Sequence, residues 1–111
     1  MNLLFVCSRN RLRSPTAEAV FAELTGHAVL SAGTSADAET VVSADLVEWA
    51  DIIFAMEGVH RRRLNQRFAP LLRTKRIIVL GIADEYDYMD PRLIEILKEK
   101  VFQHIEVRAT P

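Results

Sequence analysis

Apolar positions along this chain fall into short runs that alternate with stretches of helical periodicity. Leu3-Leu4-Phe5-Val6 is an unbroken apolar run and predicts a buried strand from Asn2 to Cys7. A helix signal follows, with Ser14 as N-cap, Pro15 at the first helical position, and Ala17, Val20, Phe21 and Leu24 on one face. Gly26 fits the helix stop, and Ala28-Val29-Leu30 predicts a short second strand. The small and polar residues from Ala32 to Thr40 read as a loop. Ser43-Ala44-Asp45 opens a short helix carrying Leu46, Val47 and Trp49. A third strand is expected from Asp51 to Met56, and a helix from Gly58 to Phe68 with Leu64 and Phe68 inward and most arginines outward. Arg76 to Leu80 gives the fourth strand and Gly81 to Met89 a loop. Pro91 starts the last helix, where Leu93, Ile94, Leu97, Val101 and Ile105 keep helical spacing.

Short apolar strands alternating with amphipathic helices predict an α/β fold in three layers, a parallel sheet covered on both faces. Right-handed crossovers restrict its topology. No repeat, low-complexity tract or linker interrupts the pattern, so residues 1–111 are expected to form a single domain. Its 111 residues suffice for an adequate core. A formal net charge of −1 gives no reason to expect nucleic acid or membrane as partner. The charge is unevenly spread, though: Arg9, Arg11 and Arg13 crowd one loop, and Arg61-Arg62-Arg63 form a second cluster that reads as a solvated helix face. A single cysteine excludes an intrachain disulfide framework and fits a reducing cytoplasm. The first apolar run is too short to span a bilayer and lacks the basic start of a secretory leader. His27, His60 and His104 match no metal spacing and read as surface or core residues, so neither metal nor other cofactor is expected.

The chemistry concentrates in Cys7-Ser8-Arg9-Asn10-Arg11-Leu12-Arg13-Ser14. The cysteine sits where a strand ends and a loop turns into a helix N-terminus. Loop and first-turn N–H groups there have no intrahelical partners, and the helix dipole favours negative charge, so the segment is suited to hold an anion. A thiolate is an anion too. A lone cysteine after a strand is ordinarily a small buried hydrophobe. Here an arginine six residues on supplies a planar fork that matches phosphate oxygens two at a time. Such a loop can wrap a tetrahedral oxyanion with sulfur beneath, N–H groups of Ser8 to Ser14 around it and the guanidinium at the rim. The Ser14 hydroxyl is placed to donate to the sulfur. Asn10 suits a left-handed turn that directs N–H groups inward.

Phe5-Val6-Cys7, Asn10, Arg13-Ser14-Pro15 and Ala17-Glu18-Ala19 together resemble the phosphate-binding loop of low-molecular-weight protein tyrosine phosphatases. Ser31-Ala32-Gly33-Thr34 resembles the segment that buttresses that loop. Asp51 to Glu57 resembles the family's third strand, with Leu64-Asn65 in the helix that follows. Asp90-Pro91 resembles the dipeptide that carries the general acid. The chain departs from the family at Arg9, where glycine is usual, at Leu12, where many members have a second cysteine, and at Arg92, where tyrosine is usual. The stretch between Thr34 and Asp45 is also too short for a helix found there in the family. The resemblance implies a four-stranded parallel sheet in the order 2-1-3-4, support of the loop by Asn10, Ser14 and Ser31, and catalysis by Cys7, Arg13 and Asp90.

The expected activity is metal-independent phosphomonoester hydrolysis through a phosphocysteine. By resemblance the substrate is phosphotyrosine in a protein, with a small phosphomonoester the other candidate. Pro91 favours an extended Asp90 at a rigid helix start, which singles it out from Asp84 and Asp87 as proton donor. Tyr86 or Tyr88 is expected to supply a pocket wall, and Trp49 to belong to the core. Two other readings share the loop: an arsenate reductase relying on an external thiol, and a phosphate- or phosphopeptide-binding module without catalysis.

Overall fold

The computed structural model describes residues 1–24 and 26–105. Four strands, β1 (Asn2–Cys7), β2 (Ala28–Gly33), β3 (Ile52–Ala55) and β4 (Arg76–Val79), form one parallel sheet in the order β2-β1-β3-β4. Helices α1 (Arg13–Leu24) and α4 (Pro91–Val101) lie against one face, and α2 (Ala44–Trp49) and α3 (Gly58–Leu72) against the other. With a strand on each side and helices above and below, β1 has no wet face. Leu3, Leu4, Phe5 and Val6 are fully buried, which is why the run is apolar without alternation. Successive side chains still go to opposite faces. Leu3, Phe5 and Cys7 join Ala17, Phe21, Leu93 and Leu97 on the α1/α4 side. Leu4 and Val6 join Val47 and Leu64 on the α2/α3 side. Phe5 stacks between Phe21 and Phe54, with centroids 5.3 and 5.0 Å away. β2 departs to one side of β1 and β3 to the other, so Cys7 ends the strand at the point where strand order reverses, the usual ligand crevice of open α/β sheets.

Several boundaries move from their expected places. α1 begins at Arg13, not Pro15, because the Leu12 carbonyl already accepts the Thr16 N–H at 3.1 Å. Pro15 still falls in the first turn, where a missing N–H costs nothing. Ser14 is therefore helical rather than the N-cap, and its hydroxyl is free for other work. The Leu24 side chain, expected on the inner face, lies outside the described residues. α3 runs to Leu72 instead of stopping at Phe68. Phe68 leaves helical geometry (φ −129°, ψ 21°), so the expected end is a kink, and Pro70 sits in the first turn of the short piece beyond it. α4 ends at Val101; Ile105 is buried but not helical. Trp49 packs with the α2/α3-side core, as expected.

β2 is longer than its apolar triplet. Its second half, Ser31-Ala32-Gly33, pairs in register with Phe5-Val6-Cys7. The chain then continues alongside the loop that follows β1: Thr34, Ser35 and Glu39 donate N–H groups to the carbonyls of Cys7, Ser8 and Arg9 at 3.0, 2.9 and 3.1 Å. Gly33 permits this approach, since a Cβ there would lie 2.4 Å from the Ser8 carbonyl oxygen and 2.6 Å from the Ala38 Cβ. Among the described residues no helix intervenes between Thr34 and α2, and none is long and apolar enough to cross a membrane.

Candidate active site

Cys7 lies almost wholly buried at the floor of a cavity of about 340 Å³ bordered by Ser8, Arg9, Arg11, Leu12, Arg13 and Asp84. The loop between β1 and α1 makes this floor through one left-handed residue. Asn10, at φ 56°, turns the backbone so that its own N–H points back to the Cys7 Sγ at 3.3 Å. Its side chain then fixes the turn from below. The Asn10 Nδ2 donates to the Ser14 Oγ and to the Ser31 Oγ, each at 2.9 Å, while its Oδ1 accepts the Thr40 N–H. The Ser31 hydroxyl in turn donates to the Glu18 carboxylate at 2.6 Å. The Ser14 proton has two acceptors in reach, the Ala32 carbonyl at 3.4 Å and the Cys7 Sγ at 2.9 Å, and the shorter contact together with a thiolate's charge directs it to the sulfur. Two donors thus aim at one sulfur, an arrangement that stabilises negative charge on it.

Arg13 is 3% exposed and is held by three groups from two loops. Its Nη1 donates to Glu57 and to the Ile82 carbonyl at 2.8 Å, and its Nε lies 3.6 Å from the Asp84 carboxylate. Nη1 is engaged and Nε faces Asp84, so among the described residues Nη2 is the nitrogen left to meet a ligand oxygen. Glu57 precedes α3 and shares a capping box with His60. The His60 Nδ1 accepts the Glu57 N–H at 3.0 Å, and its Nε2 lies 2.9 Å from the Ser8 Oγ. Burial, reinforced by the nearby Arg13 charge, pushes the His60 imidazole down to about 4, so it is neutral at physiological pH. Arg9 and Arg11 stand at the cavity mouth, loosely paired with Asp37 at 4.0 Å and Glu39 at 3.5 Å, all four side chains well exposed.

The structure brings Cys7, Ser8, Arg9, Arg11, Leu12 and Arg13 around the cavity and sets Asn10, Ser14 and Ser31 beneath it. It does not bring Asp90 there. Asp90 is the N-cap of α4: its carboxylate accepts the Arg92 N–H at 2.9 Å and pairs with the Arg92 guanidinium at 3.0 Å. The Arg92 side chain and then its backbone N–H hold this carboxyl below the usual aspartate range. The acid at the cavity is Asp84. Neither expected tyrosine borders the cavity; Tyr86 packs on the α1/α4-side core beneath the Arg92 guanidinium, and Tyr88 is exposed. Glu57, expected only in the third-strand segment, and His60, expected as a surface or core residue, also join the site, and their spacing is that of a capping pair at a helix start. Among the described residues no group of three or more His, Cys, Asp or Glu could hold a metal ion.

A loop of this form at the end of a central strand in a 2-1-3-4 sheet defines a class, the cysteine-dependent phosphatases. Residues 2–49 match the family model for low molecular weight phosphotyrosine protein phosphatases. Solved structures align over nearly the whole length. A Drosophila arginine phosphatase superposes with a TM-score of 0.71 at 24% identity, covering 94% of this chain and 97% of its own. The tyrosine phosphatase Wzb from Escherichia coli K30, solved with phosphate, gives 0.70 at 21% identity, covering 92% and 94%. A protein tyrosine phosphatase from Entamoeba histolytica gives 0.70 at 25% identity, covering 90% of each chain. No curated protein sequence matches this chain.

Proposed function

We propose that this phosphatase hydrolyses aryl phosphomonoesters, phosphotyrosine in proteins above all, through a phosphocysteine at Cys7. The observation that carries the reading is the convergence of the Ser14 hydroxyl and the Asn10 N–H on the Cys7 sulfur at the floor of a cavity that Arg13 borders. In the first step the thiolate attacks phosphorus opposite the leaving oxygen; the S–P bond forms as the P–O bond breaks. Charge on the equatorial oxygens is met by loop N–H groups between Ser8 and Ser14, that of Asn10 excepted because it faces the sulfur, and by Arg13, preorganised by Glu57 and the Ile82 carbonyl. Asp84 gives its proton to the departing oxygen. In the second step water attacks the phosphocysteine, Asp84 takes the proton back, and the S–P bond breaks to release phosphate and thiolate, which Ser14 stabilises.

Assigning the proton to Asp84 rather than Asp90 rests on placement: a donor must reach the leaving oxygen, and Asp84 borders the cavity while Asp90 is committed to α4 and Arg92. The choice of an aryl ester rests on charge. Relatives in fold include an arginine phosphatase and tyrosine phosphatases. A phosphoarginine side chain would carry its guanidinium past Arg9 and Arg11 at the mouth, where like charges repel. Steady-state phosphate release from phosphotyrosine and phosphoarginine peptides, with and without chelator, tests the reading. Chelator-insensitive turnover that favours phosphotyrosine supports it; faster release from phosphoarginine overturns the substrate, and no release from either overturns the activity.

A further inference from the structure

Ser8 carries a hydroxyl at the cavity, and a buried histidine from a distant helix meets that hydroxyl from behind. The proton positions follow from the partners. The His60 Nδ1 receives the Glu57 N–H at 3.0 Å, so it bears no proton of its own. A neutral imidazole then carries its one proton on Nε2, and this N–H donates to the Ser8 Oγ 2.9 Å away. A serine hydroxyl has a single proton and two lone pairs. With His60 occupying the acceptor side, the Ser8 proton has to point elsewhere, and Ser8 borders the cavity.

We infer that Ser8 is a hydrogen-bond donor to bound substrate, with its hydroxyl oriented by His60 as a positioning residue. The ligand class is that of the proposed phosphatase activity, on which the inference rests: a phosphoryl oxyanion and the ester oxygen attached to it. The arrangement also ties the loop together at both ends. Ser8 near its start is bound by His60, and Arg13 at its end by Glu57, the residue next to the N-terminus of α3. Movement of that helix terminus would therefore disturb both donors together. The charged groups facing His60 are Arg13 and Arg63, which oppose its protonation, and Glu57 and Asp84, which favour it; burial decides in favour of the neutral ring.

The test measures kcat/KM on phosphotyrosine peptide and vanadate inhibition for wild type, Ser8→Ala, Ser8→Thr, His60→Leu, His60→Gln and the Ser8→Ala/His60→Leu double variant. One donor is worth up to about tenfold. Ser8→Ala is expected to lose about three- to tenfold in kcat/KM and to weaken vanadate in parallel. Ser8→Thr, which keeps the hydroxyl, should recover most of that loss. A glutamine amide can still donate to Ser8, so His60→Gln should be milder than His60→Leu. In the double variant the losses should fail to multiply, because His60 acts through Ser8. Ser8→Ala kinetics equal to wild type, or Thr no better than Ala, overturns the donor role even if His60→Leu does not fold. Full multiplication in the double variant reduces His60 to a packing residue and overturns its positioning role. A wild type that neither turns over aryl phosphate nor binds vanadate strikes the phosphatase reading instead.

Discussion

Asp90 and Asp84 show how one short signal can carry two meanings. Asp followed by Pro is a strong helix start: the carboxylate caps, and proline takes the first position with its φ already set. Asp90-Pro91 does this for α4, and Arg92 completes the pair. The same dipeptide therefore satisfies the rules of helix initiation without entering the cavity. Asp84 lies in a polar stretch with no local signal, and only the packing of its loop beside Arg13 reveals its place. The prediction is a split by leaving group. Asp84→Asn should slow phenyl phosphate at least tenfold more than nitrophenyl phosphate, whose leaving oxygen needs little proton donation; the general-acid contribution is typically about 10²–10⁴. Asp90→Asn should keep near wild-type rates on both. The reverse pattern returns the role to Asp90. Arg13→Lys is predicted to cost at least tenfold in kcat/KM, on the order of 1.4 kcal/mol. An ammonium cannot keep the contacts to Glu57 and Ile82 while presenting a flat edge to phosphate. Unchanged kinetics in that variant would remove Arg13 from the oxyanion's surroundings.

At the level of elements, the spacing from Cys7 to Pro15 made the β1–loop–α1 unit legible, because strand end, turn and helix start are all local signals. The β2 extension was not legible: Ser31-Ala32-Gly33 has no strand composition and is extended by pairing with β1. The α3 N-terminus was read only as a start, though it holds Arg13 and Ser8 through Glu57 and His60. That junction also yields a pH prediction. The His60 pKa falls from 6.5 to about 4 on folding, so between those values the unfolded chain binds more protons than the folded one. Stability is fully present above pH 6.5 and is lost as pH falls toward 4. Asp90, with its carboxyl also below the usual range, extends the loss to lower pH. Urea midpoints measured across this range should fall with acid in the wild type and fall less between pH 6.5 and 4 in His60→Gln. Parallel curves for the two proteins would show that His60 does not titrate in this window.

Across the molecule, a net charge of −1 conceals a polarised mouth. Among the described residues Arg9 and Arg11 border the cavity with exposed, loosely held acids for partners, whereas Arg61, Arg62 and Arg63 lie exposed along α3 and do not border it. Peptides with acidic residues around phosphotyrosine should therefore be preferred over basic ones at low salt. The preference should shrink as ionic strength rises from about 0.01 to 0.15 M and the Debye length shortens to about 8 Å. Arg9→Gln/Arg11→Gln should flatten it. Equal rates on acidic and basic peptides at low salt would make these arginines ordinary surface. The fold itself is readable because its strands are short apolar runs and α4 is plainly amphipathic, and β1 is too apolar to lie anywhere but the middle of the sheet.

Everything in the mechanism depends on phosphorus becoming bonded to Cys7 sulfur. The direct measurement is the intact mass of enzyme quenched with acid during turnover of an aryl phosphate, with Asp84→Asn included to slow hydrolysis of the intermediate. One added phosphoryl group that maps to Cys7, with none on Cys7→Ala, is the predicted result. Turnover at the wild-type rate by Cys7→Ala, or a phosphoryl group mapped to any other residue, would contradict it.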